Sequence, residues 1–331
     1  MIRSLLVIRF SAFGDVAMTV PSLKALATRY SDIQITILSR IQYAPLFENL
    51  PANVHFIGAD LKGRHSGIRG LNLLLKEIDF KHFDAVADLH NVLRSRYMDF
   101  RFRLTGKRVA VLDKGRYAKW QLTRPWFKKL RQLPTMFERH KQVFRQLGLD
   151  YTSEAVIHHP EYHDICIAPF AAHKGKMYPL DMMEQVVKTL SFDFDSSVVL
   201  LGADGREKEI LQQWADKYDN VYNLAGTDMS RQLDCIRHSN FMICMDSANM
   251  HLASMVGTPV LSIWGATHPY LGFLGYGQSM KACLQTELSC RPCSVFGNRK
   301  CRYGDYHCLT SVKPEQIIYM ANNFYLFRDR L

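Results

Sequence analysis

Apolar positions along this chain cluster in short unbroken runs separated by longer stretches of helical period. "SLLVIRF" (4–10), "IQITILS" (33–39), "NVHFIGAD" (53–60) and "DAVADLH" (84–90) read as strands, with amphipathic helices predicted over "SLKALATRY" (22–30) and "RGLNLLLKEI" (69–78). The second half repeats the scheme. There "DICIAPF", "SVVLLGA", "NVYNLAG", "NFMICMD" and "TPVLSIWG" alternate with "DMMEQVVKTL", "REKEILQQWADKY", "SRQLDCIRHS" and "SANMHLASMV". Runs that are apolar on both faces belong to parallel sheets covered by helices on each side, so the expected class is α/β with two Rossmann-like domains. The pattern lapses at "HHPEYHD" (158–164), which places the expected division at 1–160 and 161–331. No internal sequence repeat and no low-complexity segment is evident.

In such sheets ligands bind beyond the carboxyl ends of the strands, and the loops there exclude two common occupants. Neither "SAFGDV" nor "GADGRE" supplies the G-x-G-x-x-G of a dinucleotide site. "GADLKGRH" (58–65) has the glycine spacing of a P-loop, but Arg64-His65 replaces the Lys and Ser/Thr that would hold phosphate and magnesium. The first strand instead runs into Gly14-Asp15, where a carboxylate repels phosphate. Taken alone, Asp15 suits a helix cap, and Pro21 suits the first turn of the helix that follows.

Charge adds one feature to this picture. Of the formal +11, all is concentrated between Arg94 and Arg131, where thirteen Lys or Arg face only Asp99 and Asp113; the rest of the chain holds 29 bases and 29 acids. Trp120, Trp126 and Phe127 lie in that segment, a mixture suited to anionic lipid or a phosphorylated glycolipid, or else to a solvated basic face. Nucleic acid is disfavoured because no motif for it accompanies the charge. With 47% hydrophobic residues and no apolar run approaching the ~20 residues of a membrane span, a cytoplasmic protein is expected. Four of the eight cysteines, Cys290, Cys293, Cys301 and Cys308, have a spacing compatible with structural zinc, or are free thiols in a packed loop.

Three blocks, "RFSAFGDVAMTVPSLKAL" (9–26), "KMYP" (176–179) and "CMDSANMHLASMVGTPVLSIWGATHP" (244–269), together resemble the signatures of glycosyltransferase family 9, the lipopolysaccharide heptosyltransferases. The resemblance implies a GT-B fold whose parallel sheets face a central cleft, with acceptor on the first domain and nucleotide-sugar on the second. It implies inverting, metal-independent transfer of heptose, from ADP-heptose, to an anionic glycolipid acceptor of the lipopolysaccharide inner core, without a cofactor and with peripheral contact to the inner membrane. Asp15 then becomes the base that takes the acceptor proton, with Gly14 beside it turning the backbone. Lys176 matches the lysine of the K-x-W-P block, with Tyr178 in the tryptophan position as an aromatic wall and Lys174 close enough to substitute. Asp246, Ser247, Ala248 and His251 match the strand-to-helix block that meets the diphosphate, Ala248 standing where the family has glycine. Glu207 is the candidate for the nucleotide ribose, Arg206 being the alternative in that register.

On the acceptor side "DLHNVLRSRYMDF" resembles the D-L-Q-G-L-x-R-S block, so Arg94 and Arg96 are candidates for acidic groups of the acceptor. Each assignment has a plainer counterpart in a capping Asp or Ser, a solvated Lys, a packed His or an ordinary helix face. Transfer of a different activated sugar, or glycolipid binding without turnover, are the alternative functions. The helix "PEQIIYMANNFYLF" (314–327) is expected to cross back onto the first domain, as it does in this fold.

Overall fold

The structure, a computed structural model, describes residues 2–152, 158, 160–161, 164–193 and 196–327. Its first sheet is built from β1 (Ser4–Ile8), followed by α1 (Phe13–Ala17) and α2 (Thr19–Arg29), then β2 (Gln34–Arg40), β3 (Val54–Ala59), α3 (Gly67–Glu77), β4 (Ala85–Asp88), α4 (Leu93–Leu104) and β5 (Arg108–Val111). All strand pairs are parallel, in the order β3-β2-β1-β4-β5. Leu5, Leu6, Val7 and Ile8 are fully buried, as expected for a central strand covered on both faces. Next come α5 (Arg116–Thr123) and α6 (Met136–Gln146).

The second sheet takes β6 (Ile165–Ala168), α7 (Leu180–Asp193), β7 (Val198–Leu200), α8 (Arg206–Lys217), β8 (Val221–Asn223), α9 (Met229–His238), β9 (Phe241–Met245), α10 (Ala248–Val256), β10 (Val260–Trp264) and β11 (Cys283–Gln285). It too is parallel throughout, in the order β11-β10-β9-β6-β7-β8. The chain ends with α11 (His307–Thr310) and α12 (Pro314–Phe327). Every strand expected from the pattern is present. The pattern missed β5 and β11, which are four and three residues long at sheet edges and only partly buried.

The chain divides into two compact units, Met1–Gly115 with Pro134–Glu154, and Arg116–Leu133 with Ala155–Leu331. This differs from a single cut at 160, because α5 and the loop after it join the second unit. Leu122 and Leu133 pack with Leu271, and the Lys119 ammonium lies 3.9 Å from the centre of the Phe273 ring. Of the expected seam, His159, Tyr162 and His163 lie outside the described residues. Ile317, Ala321 and Phe324 of α12 belong to the core of the second unit, and Phe324 meets Phe241 at 5.7 Å between ring centres. Its apolar stripe is used there.

In the first unit α6 closes against α2, where the Ser22 hydroxyl meets Nδ1 of the fully buried His140 at 3.2 Å. The start of α6 is fixed by a reciprocal cap: the Glu138 amide donates to Thr135 Oγ1 at 3.1 Å and the Thr135 amide to Glu138 Oε2 at 2.6 Å. Thr135→Ala is expected to cost about 1 kcal/mol of stability in chemical denaturation. An unchanged midpoint would mean that packing alone holds this helix.

Candidate active site

Both sheets reverse strand order beside their central strands, β1/β4 in one and β6/β9 in the other. At such a point neighbouring crossovers leave in opposite directions and expose the loops beyond the carboxyl ends. Apart from Glu207, which follows β7, the candidate residues of each unit come from the segments after those two strands.

In the first unit Asp15 is the third residue of α1, and Ala12, not Asp15, is the N-cap. Its Oδ2 accepts the Ala12 amide at 3.2 Å and forms an ion pair with Arg9, whose side chain is buried and also donates to the Leu89 carbonyl. Part of the Asp15 side chain remains open, at 27% exposure. Gly14 is an ordinary helical residue, so the turn expected of it is made earlier.

From the other side of the switch point His90 places Nε2 3.2 Å from the Ser11 hydroxyl. Burial, and then the positive charges of Arg9 and Lys114, push its imidazole down to about 3, so it is neutral. Asp88 organises this loop. Its Oδ1 accepts the amides of His90 and Asn91 at 2.7 and 2.9 Å, and its Oδ2 accepts the Ser95 hydroxyl at 2.7 Å. Arg96 is tied to Asn91 Oδ1 at 2.8 Å, whereas Arg94 lies within electrostatic range of His90. Neither Arg9 nor His90 was selected by sequence reasoning. Arg9 reads as an interruption of an apolar run, and only the fold brings residue 90 beside residue 11.

In the second unit Lys176 leaves a short 3-10 turn after β6 and its ammonium pairs with Asp246 Oδ2 at 3.0 Å, at the end of β9. The same oxygen accepts the Thr267 hydroxyl at 2.7 Å, so a nearly buried carboxylate is matched by a cation and a donor. Lys174, the other candidate lysine, is exposed. Ser247 is the N-cap of α10, but its hydroxyl is buried and, among the described residues, makes no hydrogen bond. Ala248 is the first helical residue, so alanine stands in the glycine position without backbone strain. His251 is buried one turn on.

Glu207 accepts the Ala203 amide at 2.8 Å and so ties down its own loop after β7. Tyr178 is corrected from wall to core: it is fully buried and its hydroxyl donates to the Val312 carbonyl at 2.7 Å. "GADLKGRH" is no phosphate loop, since Asp60 already accepts the Gly63 and Arg64 amides.

The cysteine-bearing loop supports Lys176. Gly297 has φ +74°, and a Cβ there would stand 2.4 Å from Lys176 Cγ; a Cβ on Gly175 would meet the Gly297 carbonyl at 2.7 Å. Ala266 bridges the two loops, accepting the Cys293 amide at 2.9 Å and donating to the Gly175 carbonyl at 2.7 Å. Cys290, Cys293, Cys301 and Cys308 line one cavity of 260 Å³ together with Asp305 and His307. All four are free thiols, and among the described residues no three His, Cys, Asp or Glu side chains converge as a metal site. Burial raises the Cys308 thiol to about 11.

Two doubly wound parallel sheets, one presenting an acid and the other a paired lysine at a helix N-terminus, define an α/β protein of the GT-B class. Comparison with known proteins agrees. The chain matches glycosyltransferase family 9 (heptosyltransferase) over residues 72–307. It is similar to lipopolysaccharide heptosyltransferase 1 of Pseudomonas aeruginosa, 25% identical over 320 residues that cover 87% of this chain and 85% of that protein. It shares its fold with a family 9 glycosyltransferase from Veillonella parvula, at TM-score 0.73 and 21% identity over 98% and 97% of the two chains. The E. coli heptosyltransferase WaaC with ADP gives a TM-score of 0.67 and 16% identity, over 97% and 99%. The chain belongs to glycosyltransferase family 9, and it is a glycosyltransferase.

Asp99 is buried facing Asp88, and burial together with that neighbouring charge raises its carboxyl to about 8. A folded-state value above the unfolded one contributes stability that is complete below about pH 4 and lost as pH rises through about 8. Denaturation of the wild type should therefore show stability falling by a few kcal/mol, roughly, across that window, and Asp99→Asn should flatten the slope. Equal slopes would place the proton elsewhere. Tyr178→Phe should cost about 1–2 kcal/mol in chemical denaturation through the orphaned Val312 carbonyl; an unchanged midpoint would mean that the hydroxyl does not help hold the core.

Proposed function

We propose that this protein transfers heptose from ADP-heptose to an anionic glycolipid of the lipopolysaccharide inner core, with inversion and without a metal. The observation that carries the donor half is the Lys176–Asp246 pair beside the amino end of α10. The first-turn amides of a helix have no partner within it, and together with an ammonium they oppose the charge that develops on a departing diphosphate. The buried Ser247 hydroxyl adds a donor at that end. ADP as leaving group is supported by the shared fold with a heptosyltransferase solved with ADP.

Asp15 carries the acceptor half. The acceptor O–H bond breaks toward the Asp15 carboxylate as its oxygen bonds to the anomeric carbon, and the bond from that carbon to the phosphate oxygen breaks with its electrons leaving on ADP. Arg9 pairs with Asp15, and neutral His90 beside Ser11 offers a polar contact that adds no charge. Arg94 and Arg96 supply cationic groups for phosphate or acidic sugars on the acceptor. Glu207, on the loop after β7, is the proposed ribose contact, and His251 a sugar or phosphate contact one turn into α10. The free thiols agree with a cytoplasmic setting.

The test is Asp15→Asn. It should bind ADP as the wild type does in a thermal-shift titration and lose transfer about 10²-fold or more, measured as ADP release in the presence of acceptor. Undiminished release removes Asp15 from the mechanism, and ADP binding with no release by the wild type makes the protein a binder. Transfer that stops in a chelator overturns the metal-free reading.

A further inference from the structure

The second unit carries a surface that the transfer chemistry does not use. Helix α5 is two-sided. Lys119, Leu122 and Thr123 are buried, with Leu122 in the cluster around Leu271, while Tyr117 and Trp120 on the opposite face are 71% and 54% exposed. The loop that follows, "RPWFKKLR", exposes Trp126, Phe127 and Leu130 at 67%, 90% and 51%. Phe127 takes φ 53°, a left-handed conformation disfavoured for an aromatic residue, at the turn that presents its ring to solvent.

The loop is nonetheless fixed. Arg124 donates to the Phe127 carbonyl, and Lys128 donates to the Cys290 and Pro292 carbonyls at 2.7 and 3.1 Å. The same segment carries exposed Arg116, Lys129 and Arg131, and from Lys114 to Phe137 the chain contains no acid.

From this combination we infer that α5 and its loop form a docking face for an anionic bilayer. Three features select lipid over another partner. The apolar groups are mainly Trp, Tyr and Phe, which settle at the headgroup level of a bilayer. The charge is of one sign and matches an anionic headgroup layer, each base contributing about 1 kcal/mol near such a surface. The rings project from a fixed loop and the outer face of a helix whose inner face is already packed, which is the arrangement for in-plane insertion. Arg116, Lys129 and Arg131 are exposed and remain available for headgroups. The inference rests on the proposed glycolipid acceptor for its biological sense but on the surface itself for its physics.

Vesicle co-sedimentation with the full chain tests it, comparing phosphatidylcholine alone with phosphatidylcholine containing phosphatidylglycerol. Of the four tryptophans Trp214 and Trp264 are buried, so any blue shift of emission on adding vesicles reports Trp120 and Trp126. The expected result is binding and a blue shift with phosphatidylglycerol only, weakened by salt. Lys129→Gln with Arg131→Gln should lower the vesicle partition about 30-fold, and Trp126→Ala with Phe127→Ala should lower the partition and reduce the blue shift to the part that Trp120 reports. Both variants should keep the wild-type melting temperature and ADP-induced stabilisation. Absence of binding, equal binding to phosphatidylcholine alone, or folded variants that partition like the wild type would overturn the inference. Loss of vesicle binding with ADP binding and transfer intact would leave the proposed function standing; vesicle binding without transfer would do the reverse.

Discussion

The chemistry of each unit depends on one topological constraint: two adjacent parallel strands whose crossover connections depart in opposite directions. Parallel strands need long connections, and those connections are right-handed, so helices fill both faces everywhere except at the carboxyl ends of the reversing pair. In the first sheet that pair is β1 and β4, registered Ile8 to Asp88, and the loops beyond hold Asp15 and His90. In the second it is β6 and β9, registered Ala168 to Cys244, and the loops beyond hold Lys176 and Asp246. Residues about 70 to 80 positions apart meet because backbone pairing has already aligned the strands that precede them.

The charged groups at these points are held in different ways. Asp246 is nearly buried and matched by Lys176 and Thr267, a geometry in which removing either partner leaves a carboxylate poorly compensated. Asp15 is more open and shares its charge with Arg9, itself anchored on the Leu89 carbonyl. Asp88 is given wholly to structure, since amide and hydroxyl donors surround it and the protonated form of Asp99 is favoured beside it. The same residue type is thus partly open in one place, a buried electrostatic partner in another and a loop organiser in a third, according to exposure and neighbours.

The cysteine-bearing loop illustrates support from a distance. It packs Gly297 against the stem of Lys176, bridges to the Lys176 turn through Ala266, and accepts Lys128 from the basic aromatic loop on its carbonyls. A single irregular segment thereby joins Lys176 to the exposed ring cluster within one unit. Its thiols are free in this structure and its backbone does the positioning.

The sequence by itself determined the class of fold, because runs such as "SLLVIRF" and "NFMICMD" are apolar on both faces and only helix-covered parallel strands bury them that way. It also marked Asp15, Lys176 and the Asp246–His251 block, but only through their resemblance to the blocks of glycosyltransferase family 9, since each alone suits a cap, a solvated lysine or a packed histidine. The tertiary structure decided what those residues touch. Arg9 became the partner of Asp15, Lys176 rather than Lys174 met Asp246, and Tyr178 went to the core because the Val312 carbonyl lay within reach of its hydroxyl. It also moved α5 and its loop to the second unit, through Leu122 and Lys119 meeting Leu271 and Phe273. The physical reason is the same throughout: strand and helix patterns are local, whereas ion pairs, ring contacts and shared carbonyls join positions far apart in the chain, and their partners are fixed only when the sheets align them.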